Sequence, residues 1–149
     1  MTLLALLKVI HVLAAIMAVG SNLTFAFWIN RAGRDGPRLV FAIEGIRRLD
    51  RTVANPGYVV LLLTGIGMVL TGSFRFEQGW LATALLLYAV AVVIGIVLFR
   101  PAIRRHLAEA QRDPTSPAYE EAARRTRLLG LVTSLLVVVI VILMVAKPF

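Results

Sequence analysis

The sequence predicts an all-α integral membrane protein, a four-helix bundle, and two observations lead to that fold class. The chain has 149 residues, 59% of them hydrophobic, and a mean hydropathy of +0.84, outside the range of ordinary soluble domains. Four apolar segments are long enough to cross a bilayer as helices, which takes about 20 residues each. They are Leu3–Phe27, Gly57–Gly72, Trp80–Phe99 and Leu128–Ala146. Since no linker or internal repeat divides the chain, residues 1–149 are predicted to form a single domain.

The first segment starts near the N-terminus, where a signal peptide would also lie. It is longer than the apolar region of a signal peptide, and Val19-Gly20-Ser21 is followed by further apolar chain. We therefore expect a retained helix.

The loop after the first segment carries a helical pattern of its own. Between Arg38 and Val53, apolar residues recur every three to four positions, at Val40, Ile43, Ile46, Leu49 and Val53. This pattern predicts an amphipathic helix lying at the membrane interface. Asn55 and Pro56 are a suitable cap and first position for the second membrane helix, so the amphipathic helix is expected to end there.

The third helix is predicted to continue through Pro101 as far as Arg112. After a Pro-rich break, Ser116 is a suitable N-cap with Pro117 at the first helical position. The last helix should then run unbroken from Pro117 to Ala146, so that its first turns project out of the membrane.

The basic residues are distributed unevenly among the loops. Thirteen arginines lie in the loops that follow the first and third segments, namely Arg31, Arg34, Arg38, Arg47, Arg48, Arg51, Arg100, Arg104, Arg105, Arg112, Arg124, Arg125 and Arg127. Short loops rich in arginine stay in the cytoplasm, which predicts that both termini are periplasmic in a bacterial inner membrane. Arginines that face anionic lipid explain the net charge of +8 without a nucleic-acid partner.

Several kinds of site are excluded or disfavoured. The chain has no cysteine, which rules out disulfides, thiolate metal sites and cysteine nucleophiles. No acidic residue lies within the second, third or fourth apolar segment, so a carboxylate proton relay of the transporter kind is disfavoured. Phosphate-binding glycine loops and zinc-ligand spacings are absent.

His11 is the strongest candidate for a functional residue, because ionisable side chains are costly within an apolar span. With 3.6 residues per turn, Ala15, Ala18 and Asn22 share its face, which should point into the bundle. Two interpretations remain open. His11 either forms a hydrogen bond to a neighbouring helix, as a buried polar group must, or it is a ligand to a metal or a haem.

The second segment presents a face of small residues, Gly57, Leu61, Gly65, Met68 and Gly72. Bare backbone at this spacing indicates that a neighbouring helix or, less commonly, a porphyrin approaches closely. Met68 is a candidate second axial ligand, although it stands near the middle of its helix and His11 lies nearer one end. His106 is predicted to lie on a solvated face among arginines, a bilayer away from His11.

Two stretches resemble a family of small bacterial integral inner-membrane proteins of unknown function. One is Leu7-Lys8-Val9-Ile10-His11-Val12-Leu13, followed by Gly20; the other leads from Leu49-Asp50-Arg51 through Asn55-Pro56-Gly57 to Leu63-Thr64-Gly65. More distantly, the chain is similar to four-helix membrane proteins that include the bacterial membrane-bound protoporphyrinogen oxidase and the copper-resistance D type. Those proteins also open with Lys-x-x-His in the first helix.

The resemblance to the oxidase implies that His11 holds haem. The further basic residue of the oxidase has no match here, and Met17-Ala18 stand in place of its tryptophan. We expect cofactor binding by His11, Asn22, Gly65 and Met68, with His11 as the metal ligand. The expected function is electron transfer or tetrapyrrole oxidation. We also expect the protein to form a homo-oligomer or to belong to a larger membrane complex. The alternative is a structural or accessory subunit without chemistry of its own. A copper-type permease is disfavoured because the four methionines are scattered.

Overall fold

A computed structural model of the protein describes residues 2–72 and 74–148, and this part of the chain forms four long helices. They are α1 (Leu3–Ala32), α2 (Gly36–Leu70), α3 (Gly79–Arg112) and α4 (Pro117–Ala146). Each is long and apolar enough to cross a membrane. The predicted all-α membrane four-helix bundle is confirmed.

The apolar parts of the helices pack as two antiparallel pairs. α1 lies along α2, α3 lies along α4, and α1 also contacts α4. The side chains that face away from these contacts are large and apolar, such as Ile16, Leu63, Leu86 and Leu135, and they are exposed. Such a surface is suited to lipid, because lipid tails are as apolar as the side chains themselves.

All four helices extend beyond the apolar spans at the end of the molecule that carries the thirteen arginines, hereafter the basic end. There Phe25–Ala32, Gly36–Leu49, Arg100–Arg112 and the first turns of α4 enclose a hydrophobic core. Its buried members are Leu39, Ile43, Ile46, Ile103, Leu107, Ala110, Tyr119 and Ala123. The basic end is therefore a small helical core joined to the membrane bundle.

The amphipathic helix is present as Gly36–Leu49, but the prediction that it lies on the membrane surface is wrong. Its apolar face is buried in the core of the basic end, where Leu39 and Ile43 are completely shielded. The reason is that α3 and α4 continue past their apolar spans and supply a protein surface against which that face packs.

The predicted helix boundary at Asn55-Pro56 is also wrong, since α2 is continuous there. The chain passes through a π-helical turn, Asp50–Ala54, and resumes as an α-helix at Asn55. α3 has a second π-helical turn, Ile94–Phe99, just before Pro101. Proline lacks the N–H that would bond to the preceding turn, and a widened turn accommodates that loss without ending the helix.

The predicted break between α3 and α4 is confirmed. α3 ends at Arg112, and the Ser116 hydroxyl caps α4 by accepting a hydrogen bond of 3.1 Å from the Tyr119 N–H. Asp113 accepts hydrogen bonds from the Thr115 hydroxyl and the Thr115 N–H, which hold the pKa of the Asp113 carboxyl below its usual value. These local bonds fix the turn that places α4 antiparallel to α3.

Candidate functional site

His11 lies where α1 packs against α2, and its side chain bonds to Thr64 of the neighbouring helix. The distance from His11 Nδ1 to Thr64 Oγ1 is 2.8 Å. Thr64 is buried, and its hydroxyl also donates to the carbonyl of Val60, one turn earlier, at 2.7 Å. A hydroxyl has a single proton, so when Thr64 donates to Val60 it accepts the bond from His11, and the proton of the neutral imidazole is then on Nδ1. Nε2 then carries the free lone pair.

The imidazole of His11 lies over Gly65. A Cβ atom built on Gly65 would lie 3.6 Å from His11 Cε1, which is ordinary van der Waals contact. Thr64 thus holds the ring by a hydrogen bond, and Gly65 lies against it. Gly65 was predicted from the sequence as a site residue, whereas Thr64 was not.

α1 packs on the glycine face of α2 at Gly57 and Gly65, whereas nothing in the described part of the chain lies within 4 Å of a Cβ atom built on Gly72, beyond the end of the helix. A Cβ atom on Gly57 would lie 3.0 Å from Cβ of Ala18 and 3.4 Å from the carbonyl oxygen of Ala14. A Cβ on Gly67 would meet Leu7 at 3.4 Å. The neighbouring helix α1 therefore packs on this face, and its closest approach to α2 is at Gly57.

Met68 is buried on α2, one turn beyond Thr64 and on the same side of the helix. Its neighbour Gly67 faces Leu7, so Met68 lies at the level of the first turns of α1.

Asn22 takes part in a different cluster. It stands 11 residues after His11 on α1, which corresponds to roughly 16 Å along the helix axis. Its side-chain amide donates to the hydroxyl of Tyr58 at 2.5 Å, and the hydroxyl of Tyr88 donates to the carbonyl of Tyr58 at 2.8 Å. These bonds join α1, α2 and α3 next to the π-helical turn of α2. Neither tyrosine was predicted as a site residue, because a single tyrosine in an apolar helix does not by itself indicate a site.

His106 is not on a solvated face, contrary to the prediction. Its side chain is only 1% exposed, and neither ring nitrogen has a hydrogen-bond partner within the described residues. The ring packs against Tyr119, with 5.3 Å between the ring centroids. The arginines around it in sequence point outward, while His106 shares the inward face of α3 with Ala102 and Ala110. The small residues Ala102 and Ala110, on the same helix face as His106, could have indicated that His106 is buried.

No group of three or more histidine, cysteine, aspartate or glutamate side chains that could hold a metal ion occurs in the described part of the chain. His11 is therefore a lone imidazole, with a hydroxyl and a glycine as its immediate neighbours.

Comparison with known proteins gives a family and two similar relatives. Two curated proteins of Helicobacter pylori, from strain J99 and strain 26695, are each described as protoporphyrinogen IX oxidase. Each is 31% identical to this chain over 104 residues, which are 69% of this chain and 64% of the relative. The chain thus spans somewhat less than two thirds of the length of these relatives. No solved structure matches the chain significantly.

A family model described as predicted integral membrane protein (DUF2269) matches residues 5–148, nearly the whole chain. The match covers all four helices, together with His11, Thr64 and both π-helical turns. The chain therefore belongs to the DUF2269 family of integral membrane proteins.

Proposed function

We propose that this protein binds a tetrapyrrole, in the first instance haem, in the bacterial inner membrane through Nε2 of His11. The single observation that carries the proposal is the hydrogen bond from His11 Nδ1 to Thr64. Histidines that bind a metal commonly donate the other ring N–H to a fixed acceptor, which sets the tautomer and orients the ring. Thr64 is such an acceptor when its own proton is directed to Val60.

The residues around His11 fit a haem better than a bare ion. A bare ion needs three or four protein ligands, whereas the porphyrin supplies four nitrogens and leaves only one or two positions for the protein. His11 would fill one of them, and Met68, buried one turn from Thr64, is the proposed second ligand. Gly65 lies against Cε1 of His11, whereas Asn22, bonded to Tyr58, belongs to the other cluster and is not proposed as a ligand of this group.

The relatives from Helicobacter pylori support the same class of ligand. Both are described as protoporphyrinogen IX oxidase, and protoporphyrinogen IX is a tetrapyrrole. Bound haem would supply a one-electron redox centre, suited to electron transfer or to tetrapyrrole oxidation. The chain's own contribution would be to hold the ring through His11 and to keep its Nδ1 proton in place through Thr64.

The absorption spectrum of the detergent-purified protein tests the proposal, before and after addition of haemin. We expect a Soret band in the wild type and its loss in His11→Ala and in His11→Gln, because an amide is a poor ligand to iron. His106→Gln is the matched control, since His106 is the other histidine of the chain. A wild type that binds no haemin, or a His11→Ala variant that keeps the band, would contradict haem ligation by His11.

A second candidate function is that of an accessory subunit in a homo-oligomer or a larger membrane complex. It is favoured by the hydrogen bond of His11, which is satisfied within the chain, and by the close packing of Gly57 on Ala18. A purely structural His11 could be replaced by glutamine, whose amide can also donate to Thr64. A stable, colourless wild type and an equally stable His11→Gln variant would favour this function.

A further inference from the structure

A depression at the basic end begins in the seam between α3 and α4 and continues over the surface of α4. A cavity of about 120 Å³ is lined in part by Arg105, Glu121 and Arg125. A wider space of about 400 Å³ adjoins it and is lined by Glu121, Arg124, Arg125, Leu128 and Leu129. Since Glu121 and Arg125 line both, the two spaces form one continuous depression, hereafter the α3–α4 groove.

The α3–α4 groove carries an uncompensated positive charge. Three arginines, Arg105, Arg124 and Arg125, face a single carboxylate, Glu121. No ion pair within the described residues involves any of these three arginines. The charge therefore remains available to a ligand, and it favours one with a net negative charge.

The position of the groove relative to the membrane is set by α4. Leu128 and Leu129 open the apolar span of that helix, and Arg124 and Arg125 precede them by one turn on the same face. One turn is roughly 5 Å, which places the two guanidinium groups at the level of the lipid phosphates when Leu128 lies at the edge of the hydrocarbon core. Arg105 lies farther out, level with the lipid headgroups.

We propose that the α3–α4 groove is a binding site for an anionic phospholipid. The phosphate lies between Arg124 and Arg125, which can form charge-assisted hydrogen bonds with its oxygens. The first acyl carbons run along Leu128 and Leu129. Glu121 accepts a hydrogen bond from a headgroup hydroxyl, a group that phosphatidylglycerol carries. This site does not depend on the tetrapyrrole proposal, because it lies at the basic end and shares no residue with His11 or Thr64.

Reconstituted protein provides the test. The full chain is placed in phosphatidylcholine bilayers that contain a small fraction of spin-labelled phosphatidylglycerol or spin-labelled phosphatidylcholine, and the motionally restricted fraction of each lipid is measured. The wild type should retain phosphatidylglycerol preferentially. In the double variant Arg124→Gln, Arg125→Gln, the preference for phosphatidylglycerol over phosphatidylcholine should fall about fivefold for each arginine removed. All exchanged side chains are exposed, so helix content by circular dichroism should not change.

The matched control is Arg47→Gln with Arg48→Gln, which removes the same charge from α2 at the same end of the molecule. It should keep the lipid preference of the wild type. Equal losses in the two variants would overturn the proposal in favour of a diffuse electrostatic attraction, and a preference that survives in the groove variant would overturn it directly. Release of the labelled lipid by millimolar inorganic phosphate would overturn the assignment to a lipid and identify a site for free phosphate.

Discussion

His11 and Thr64 join α1 to α2 through a hydrogen bond of 2.8 Å, and Thr64 in turn donates its proton to the Val60 carbonyl of its own helix. The imidazole is thereby oriented by the backbone of α2 as well as by the helix that carries it. Every role considered for His11, ligand or helix contact, depends on this bond.

Replacement of Thr64 by valine should weaken the bundle while preserving its shape. Valine matches threonine in size but cannot accept the Nδ1 proton, which would remain unpaired in an apolar setting. We expect Thr64→Val to lower the free energy of unfolding in detergent by about 0.5–2 kcal/mol, the range for hydrogen bonds between membrane helices. Thr64→Ser keeps the hydroxyl and is the control. Equal stability of the valine variant and the wild type would show that the bond adds nothing to folding.

Gly57 should accommodate a methyl group only at a cost in stability. That methyl group would lie 3.0 Å from Cβ of Ala18, so α1 and α2 would have to shift by a few tenths of an ångström. We expect Gly57→Ala to cost about 1–3 kcal/mol of stability, the range for overpacking. Gly20→Ala is the control, because nothing lies within 4 Å of a Cβ built there. Thermal unfolding of both variants measures the difference, and comparable midpoints would contradict a tight contact at Gly57.

The core of the basic end should depend on Ile43. This side chain is completely buried, whereas Phe41 on the same helix is 76% exposed. We expect Ile43→Ala to destabilise the protein by about 2–5 kcal/mol and Phe41→Ala to have a much smaller effect. Chemical unfolding in detergent gives both values. If Gly36–Leu49 lay on the membrane surface instead, the two variants would behave alike.

The orientation of the bundle stays a prediction of the sequence, and cysteine labelling can test it. The chain has no cysteine of its own, so single cysteines are unambiguous reporters. We expect Arg112→Cys, at the basic end, to be protected from a membrane-impermeant maleimide in intact cells and Glu77→Cys to react. The opposite pattern would reverse the assignment of both termini to the periplasm.

The fold was largely predictable, because a helix that crosses lipid must be apolar over a fixed length. The end of α3 at Arg112 and the cap of α4 at Ser116 were predictable for a similar reason, since a Pro-rich break and a capping hydroxyl act locally. The continuity of α2 through Asn55-Pro56 was not predictable. The same two residues suit the start of a separate helix and the end of a π-helical turn within a continuous helix.

The site was only partly predictable. His11 is recognisable by itself, since an imidazole in an apolar span is rare. Its partner is not, because many residues of α2 could bond to it, and the choice of Thr64 depends on the register between two antiparallel helices. The burial of His106 likewise depends on how α3 and α4 pack beyond the membrane, which no local pattern specifies.

The π-helical turn in α2 has a consequence for the number of residues between the two ends of that helix. A π-helical turn accommodates about one residue more than an α-helical turn, and one residue corresponds to a rotation of about 100° around an α-helix. Deleting a single residue from 50–54 would convert this turn into an α-helical turn and keep Ile43 and Thr64 in the same rotational phase, whereas a deletion outside the turn would rotate Thr64 away from His11. The π-helical turn therefore absorbs one residue of chain length between Ile43 and Thr64 without disturbing the imidazole contact.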